Sequence, residues 1–338
     1  MRGPPPDSWL RVTPLGLWCE PGGFHVDPVR AVERAVVTHG HSDHARPGHG
    51  AVLATRETLA IMAQRYRDEP ARGRQALAFG EAVRIGEVTL RLLPAGHILG
   101  SGQVVLEHGG SRIIVSGDYK RRPDPTCLPF EPAACDAFIT EATFGLPVFR
   151  HPPDMEEVGK LLASLRRFPE RAHLVGVYGL GKCQRLLMLL RQAGYDETVY
   201  LHGALLGLCD LYREFGLDLG PTAPAAGRGR DDFKGRLVLA PPSATADRWS
   251  RRLPDPVIGM ASGWMRVRQR ARQRGVELPL VISDHADWDE LTATILEVGA
   301  PRVWVTHGAE EAIVYWCRRR GIDARALSLL GREGEEEE

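Results

Sequence analysis

The densest chemistry in the 338-residue chain is Thr38-His39-Gly40-His41-Ser42-Asp43-His44, an HxHxDH run with four metal-capable side chains. Alternate residues of an extended segment point the same way, so His39 and His41 can share one cation. After the chain turns, Asp43 and His44 can face a second cation, in two-metal sites about 3.5–4 Å from the first. Imidazole and carboxylate donors suit zinc, manganese or iron. The plain alternative is a polar turn with chance histidines. So many donors directly after the apolar run Ala35-Val36-Val37 argue for a metal or catalytic site instead.

Two later segments end strand candidates in the same style. Pro94-Ala95-Gly96-His97 offers His97 as a third nitrogen donor for the first cation, and Ser116-Gly117-Asp118 offers a carboxylate that can bridge both. A glycine before each donor lets the backbone approach closely. A single histidine or aspartate at a strand end is often structural; the order of these two after HxHxDH gives them weight. Lys120, Arg121 and Arg122 follow Asp118 and are read either as a phosphate contact or as a solvated turn. Gly179-Leu180-Gly181-Lys182 precedes a helix and could cradle a phosphate, but it lacks the P-loop spacing and reads better as capping; Trp264 could stack on a base but reads better as a packed aromatic.

The elements that must position these groups alternate between β-rich runs and helical patterns, as in an α/β protein. Strands are expected at Ala35–Thr38, Val88–Leu93, Arg112–Ser116 and Ala137–Thr140, each running into polar, chemically able residues. After Gly145 the style changes. Residues 154–167 and 182–193 read as amphipathic helices, the second stopped by Gly194. Strands follow at Leu174–Val177, Leu237–Ala240 and Val257–Gly259, and residues 221–235 read as a surface loop. Near residue 279 the first style returns. Leu280-Val281-Ile282 leads into Ser283-Asp284-His285-Ala286-Asp287, where Asp287 and Glu290 make a capping box, and Val303-Trp304-Val305 leads into Thr306-His307-Gly308. One parent domain is therefore expected from residues 1–145 and 276–338, with 146–275 inserted into it.

Hydrophobic residues make up 43% of the chain, enough for a sizeable core. No apolar run approaches the ~18–20 residues that span a bilayer, and the proline-rich start has no signal-peptide core, so the cytoplasm is the default address. The six cysteines form no CxxC pair and read as free, mostly buried thiols. Formal charge is zero, with 43 basic and 43 acidic residues. Five of the acids, Glu333 and Glu335 to Glu338, form a tail that reads as solvated and disordered. The remaining body is mildly basic, which permits a polyanionic substrate.

The series Asp27, HxHxDH, His97 and Asp118 resembles the metallo-β-lactamase superfamily. Glu141 in Thr-Glu-Ala-Thr-Phe-Gly, His285 in Ser-Asp-His-Ala-Asp and His307 in Val-Thr-His-Gly are similar to motifs A, B and C of the β-CASP nucleases. The resemblance implies an αββα sandwich with an inserted α/β β-CASP cap at 146–275. It also implies two divalent metals (zinc or manganese), with His39, His41, His97 on one, Asp43, His44, His307 on the other, and Asp118 bridging. Asp43, Asp118, Glu141 and His285 are the expected catalytic set, with His285 as proton donor to the leaving group and Glu141 orienting it. Gly23 to Pro28, Thr38 to Gly50, Pro94 to Ser101, Ala261 to Met265 and Ser283 to Trp288 are similar to the bacterial DNA-ligase-associated exonucleases. That closer likeness implies a DNA exonuclease in repair, acting with an ATP-dependent DNA ligase and a helicase, and resemblance to the β-CASP DNA enzymes leans the polarity to 5′→3′.

Three rivals differ in class. Histidine at motif C, here His307, is typical of the RNA-processing β-CASP enzymes, while the Artemis-like DNA enzymes carry valine. A non-catalytic nucleic-acid-binding scaffold is disfavoured because every ligand position is filled, and a buried charged cluster without metal is costly. A small-substrate hydrolase is disfavoured by the cap-sized insertion.

Overall fold

The computed structural model of the protein describes residues 3–66 and 73–327. The acidic tail lies outside the described residues. Two compact units emerge. One joins the chain up to Pro147 with the chain from His285 onward, and the other is Val148–Asp284.

The first unit opens with β1 (Leu10–Thr13), β2 (Gly16–Cys19), β3 (Phe24–Val26), β4 (Arg34–Val36) and β5 (Ala51–Ala54), then α1 (Arg56–Arg65) and β6 (Gly73–Ala76). These six strands form one sheet in sequence order, antiparallel through β3 and parallel after it. Next come β7 (Ala82–Ile85), β8 (Val88–Pro94), β9 (Gly102–His108), β10 (Ser111–Val115) and β11 (Ala137–Glu141).

The second unit holds α2 (Asp154–Arg167), β12 (His173–Gly176), α3 (Lys182–Gln192), β13 (Val199–Leu201), α4 (Gly203–Glu214), β14 (Thr222–Pro224), β15 (Leu237–Ala240), β16 (Val257–Ala261), α5 (Arg268–Gln273) and β17 (Leu278–Leu280). Its sheet is parallel throughout, in the order β14-β13-β15-β12-β16-β17. Because β17 pairs with β16, the chain leaves this unit at Asp284, later than the 275/276 boundary read from the sequence. The expected loop at 221–235 contains the edge strand β14 and a 3-10 turn that buries Phe233.

The chain then returns through α6 (Trp288–Val298), β18 (Arg302–Thr306), α7 (Glu310–Arg318) and β19 (Asp323–Ala326). These strands complete the second sheet of the first unit, ordered β19-β18-β11-β10-β9-β8-β7. β18 lies parallel to β11, with Glu141 opposite Thr306.

Strand alternation builds the layers. Leu90, Leu92, Ile113, Val115, Ile139 and Trp304 point to a core shared with Leu17, Val36 and Leu53 of the first sheet. The intervening Ile114, Phe138, Val303 and Val305 face the other way, against Leu291 and Ile295 of α6 and Ile313 and Val314 of α7. α1 covers the outer face of the first sheet through Leu59 and Met62. The result is the expected αββα sandwich, with a separate α/β unit inserted. Among the described residues, no helix is long and apolar enough to cross a membrane.

Candidate metal centre

Every donor expected from the sequence lies at a strand end of the first unit. β4 delivers the loop carrying His39, His41, Asp43 and His44, β8 delivers His97, β10 delivers Asp118, β11 ends on Glu141, and β18 leads to His307. All of these except His307 are buried, and His307 is half-buried. The donors fall into two groups with ligand atoms within 4.8 Å of one another: His39, His41, His97 and Asp118, and Asp43, His44 and His307. Asp118 touches both. Its Oδ2 lies 3.4 Å from His39 Nε2 and 3.3 Å from His44 Nε2, and its Oδ1 lies 3.6 Å from His307 Nδ1.

Behind the donors lies a set of hydrogen bonds that aims them. Thr38 donates its backbone N–H to Asp27 Oδ1 at 2.8 Å and its hydroxyl to Asp27 Oδ2 at 2.6 Å. The same hydroxyl is 3.0 Å from His39 Nδ1, and Asp27 Oδ2 is 2.8 Å from His44 Nδ1. Both rings therefore carry their proton on Nδ1 and turn Nε2 inward, as metal-binding imidazoles do when a partner fixes their tautomer. Asp27 supplies this geometry from a left-handed backbone, φ 43°, and His307 also sits at φ 65°. Strain of this kind is held only where surrounding structure enforces it. Two glycines permit the close approach. Gly96, φ 75°, would drive a Cβ into the carbonyl of Lys120, and Gly117, φ 58°, would place one 2.8 Å from Thr38.

The donor set fits divalent cations. Nε2 of His39, Nε2 of His44, Oδ2 of Asp43 and Oδ1 of Asp118 are buried without a hydrogen-bond partner among the described residues. Burying such atoms unsatisfied is costly unless a ligand takes them up. The charges agree. Burial pushes His39 down to about 4, so it is a neutral donor. Burial also opposes charge on His44, yet Asp43, Asp118 and Asp27 outweigh it and hold the ring well above its ordinary value. Burial likewise works against the Asp118 carboxylate, but His44 and His39 draw it well below the usual range. Positive charge is what this pocket of carboxylates favours.

Beside the donors stands a second pair. His285 Nδ1 lies 3.0 Å from Glu141 Oε2, and Glu141 Oε1 accepts the Tyr119 N–H at 2.7 Å. Burial raises the Glu141 carboxyl, with the His285 ring partly opposing. One atom each of Asp118, Glu141 and His285 lie within 4.8 Å of one another, and the rings of His97 and His285 are 4.6 Å apart.

The basic run after Asp118 is neither a free phosphate contact nor a solvated turn. Lys120 is buried and donates to the His285 carbonyl at 3.2 Å. Arg121 meets Glu297 at 2.7 Å and Thr294 at 2.9 Å, and Arg122 meets Asp287 at 2.7 Å. The three side chains tie the Asp118 loop to the His285 turn and α6. Sequence reasoning gave no orienting role to Thr38 or to Lys120. Thr38 carried a signal, being the hydroxyl next to the first ligand. A buried lysine carries none.

No protein-family model matches the chain. It is 30% identical over 319 residues to a protein of Opitutus terrae named as a probable DNA ligase, a match covering 92% of this chain and 30% of that one. It is 26% identical over 387 residues to a ribonuclease of Thermus thermophilus, covering 90% of this chain and 88% of the ribonuclease. A crystal structure of a protein of unknown function from Enterococcus faecalis V583 superposes with a TM-score of 0.54 at 13% identity, over 80% of this chain and 74% of that one, and speaks to the fold alone. The αββα layers and the two donor groups define a metallo-β-lactamase-type metal centre. With these relatives, the chain is similar in sequence and in donor set to the metallo-β-lactamase/β-CASP nucleases. It spans less than a third of the probable DNA ligase it matches.

Proposed function

We propose that the protein is a metal-dependent DNA exonuclease that hydrolyses phosphodiester bonds. The observation that carries this reading is the pair of donor groups joined by Asp118, with His285 and Glu141 at their side. His39, His41 and His97 would hold one divalent ion, Asp43, His44 and His307 the other, with Asp118 shared. Zinc and manganese both suit this set. When bound, two such ions acidify water and neutralise charge developing on a phosphoryl group.

The chain's own residues do the rest. Asp27 and Thr38 lock the tautomers of His44 and His39. Glu141 accepts a hydrogen bond from the Nδ1–H of His285 and balances the charge of the ring when both nitrogens are protonated, so that Nε2–H is the proton given to the departing oxygen. Lys120, Arg121 and Arg122 keep that ring beside Asp118. The inserted unit is assigned as the β-CASP cap.

Likeness to a protein named as a probable DNA ligase supports DNA as substrate and work beside a DNA ligase; the partners proposed are an ATP-dependent DNA ligase and a helicase. The proposed polarity is 5′→3′, and the proposed setting is DNA repair in the cytoplasm. A ribonuclease is the second reading, favoured by the near full-length match to the Thermus thermophilus ribonuclease and by His307 at motif C. Oligonucleotides of one sequence in DNA and RNA form, labelled at either end, separate the two. Stepwise release from DNA alone supports the proposal, and cleavage of RNA alone transfers the protein to RNA processing.

A further inference from the structure

The segment from Ala261 to Val276 carries five arginines, Arg266, Arg268, Arg270, Arg272 and Arg274, and no carboxylate. Met265 and Ala271 are buried with Met260 and Val281, and they fix its backbone to the second unit. Arg266, Arg268, Arg272 and Arg274 are exposed. Some guanidinium groups elsewhere are matched to carboxylates, as in Arg112 with Glu107, Arg171 with Glu277 and Arg236 with Glu197. Among the described residues, Arg266, Arg268 and Arg272 make no ion pair. Like charges so close repel one another.

We infer that this arginine cluster is a docking surface for the phosphodiester backbone of a polynucleotide. Arg268 and Arg272 are four apart on α5 and so share a helix face. Each guanidinium presents a planar fork that matches two phosphate oxygens. Recognition is of backbone and independent of sequence. The half-buried Trp264 in the same segment has Arg270 4.1 Å over its face and Phe149 edge-on at 5.0 Å. The inference rests on the reading above that a polynucleotide is the substrate.

The test measures binding and chemistry separately on the full chain. Fluorescence anisotropy of a labelled single strand is followed across a salt series for wild type and R266Q/R268Q/R272Q. Hydrolysis of bis(p-nitrophenyl) phosphate, which has no backbone to dock, reads the metal centre alone. Three lost phosphate contacts should make the slope of log K against log salt about 2 less steep and weaken binding about tenfold or more at moderate salt. Turnover of the small diester should not change. R266K/R268K/R272K should keep the slope. R74Q/R84Q/R91Q, which removes the same charge from exposed arginines of the other unit, should keep most of the affinity. An unchanged slope in R266Q/R268Q/R272Q, or an equal loss in R74Q/R84Q/R91Q, overturns the docking surface. A wild type that binds strands through this cluster but cleaves none would leave the surface standing and remove the nuclease reading instead.

Discussion

Replacing Asp27 by asparagine should cost the second ion while leaving the first. Asp27 touches no ion in the proposed arrangement, yet it accepts three buried hydrogen bonds, from the Thr38 N–H at 2.8 Å, the Thr38 hydroxyl at 2.6 Å and His44 Nδ1 at 2.8 Å. Asparagine keeps the volume and tolerates the left-handed φ of 43°. Its amide oxygen can keep the Thr38 N–H. Its NH2 then faces His44 Nδ1, where only an acceptor fits. The imidazole must move its proton to Nε2, the atom 3.3 Å from both Asp43 and Asp118 and the one that would bind the ion. Loss of an orienting partner of this kind typically weakens metal affinity 10–100-fold, or about 1.4–2.7 kcal/mol. Competition with a chromogenic zinc chelator, with metal content by mass spectrometry and circular dichroism as a folding check, measures it. The expected result is one site weakened within that range and the other within a few-fold of wild type. A folded D27N that binds two ions with wild-type affinity would refute the tautomer argument.

Three further outcomes follow. His285→Ala should lower turnover about 10²-fold or more, as loss of a general acid does, with metal content unchanged, whereas His307→Ala should lose metal as well. If His285→Ala strips the ions, His285 is a ligand and its assigned role is wrong. Gly96→Ala should destabilise the fold by more than about 1 kcal/mol, because φ is +75° and the new Cβ meets the Lys120 carbonyl; an unchanged urea midpoint would contradict this. Burial pushes the Cys19 thiol up to about 12 and Cys317 up to about 11 from the ordinary 9.0. Folded protein near pH 8 should therefore leave both unalkylated by iodoacetamide while unfolded protein reacts at both. Since the folded values are raised, the protonated thiols' contribution to stability is complete below pH 9 and declines as pH rises toward 11 and 12.

The site was more legible than the scaffold around it because ligand chemistry restricts residue type and spacing more tightly than packing does. HxHxDH and the strand-end His97, Asp118, Glu141, His285 and His307 all reach one region of the first unit. Helices with one apolar face and a clear stop were also readable. α2 spans Asp154–Arg167, and α6 begins at the Asp287–Glu290 capping box and ends at the left-handed Gly299. What stayed hidden depends on tertiary context. The short strands β1 to β3 are set by pairing with one another, and β17 reads like a lead into His285 yet belongs by hydrogen bonding to the other sheet. Lys120 looked like a surface cation and is buried, because its ammonium meets the His285 carbonyl from a residue 165 positions away.

The most direct test of the account is nuclease assay of metal-stripped protein on end-labelled single-stranded DNA, before and after zinc or manganese is restored, beside Asp118→Ala. The account predicts no cleavage without metal, recovery on its return with stepwise shortening of DNA, and none from Asp118→Ala under any metal. Cleavage that survives stripping, or an Asp118→Ala protein as active as wild type, would contradict it.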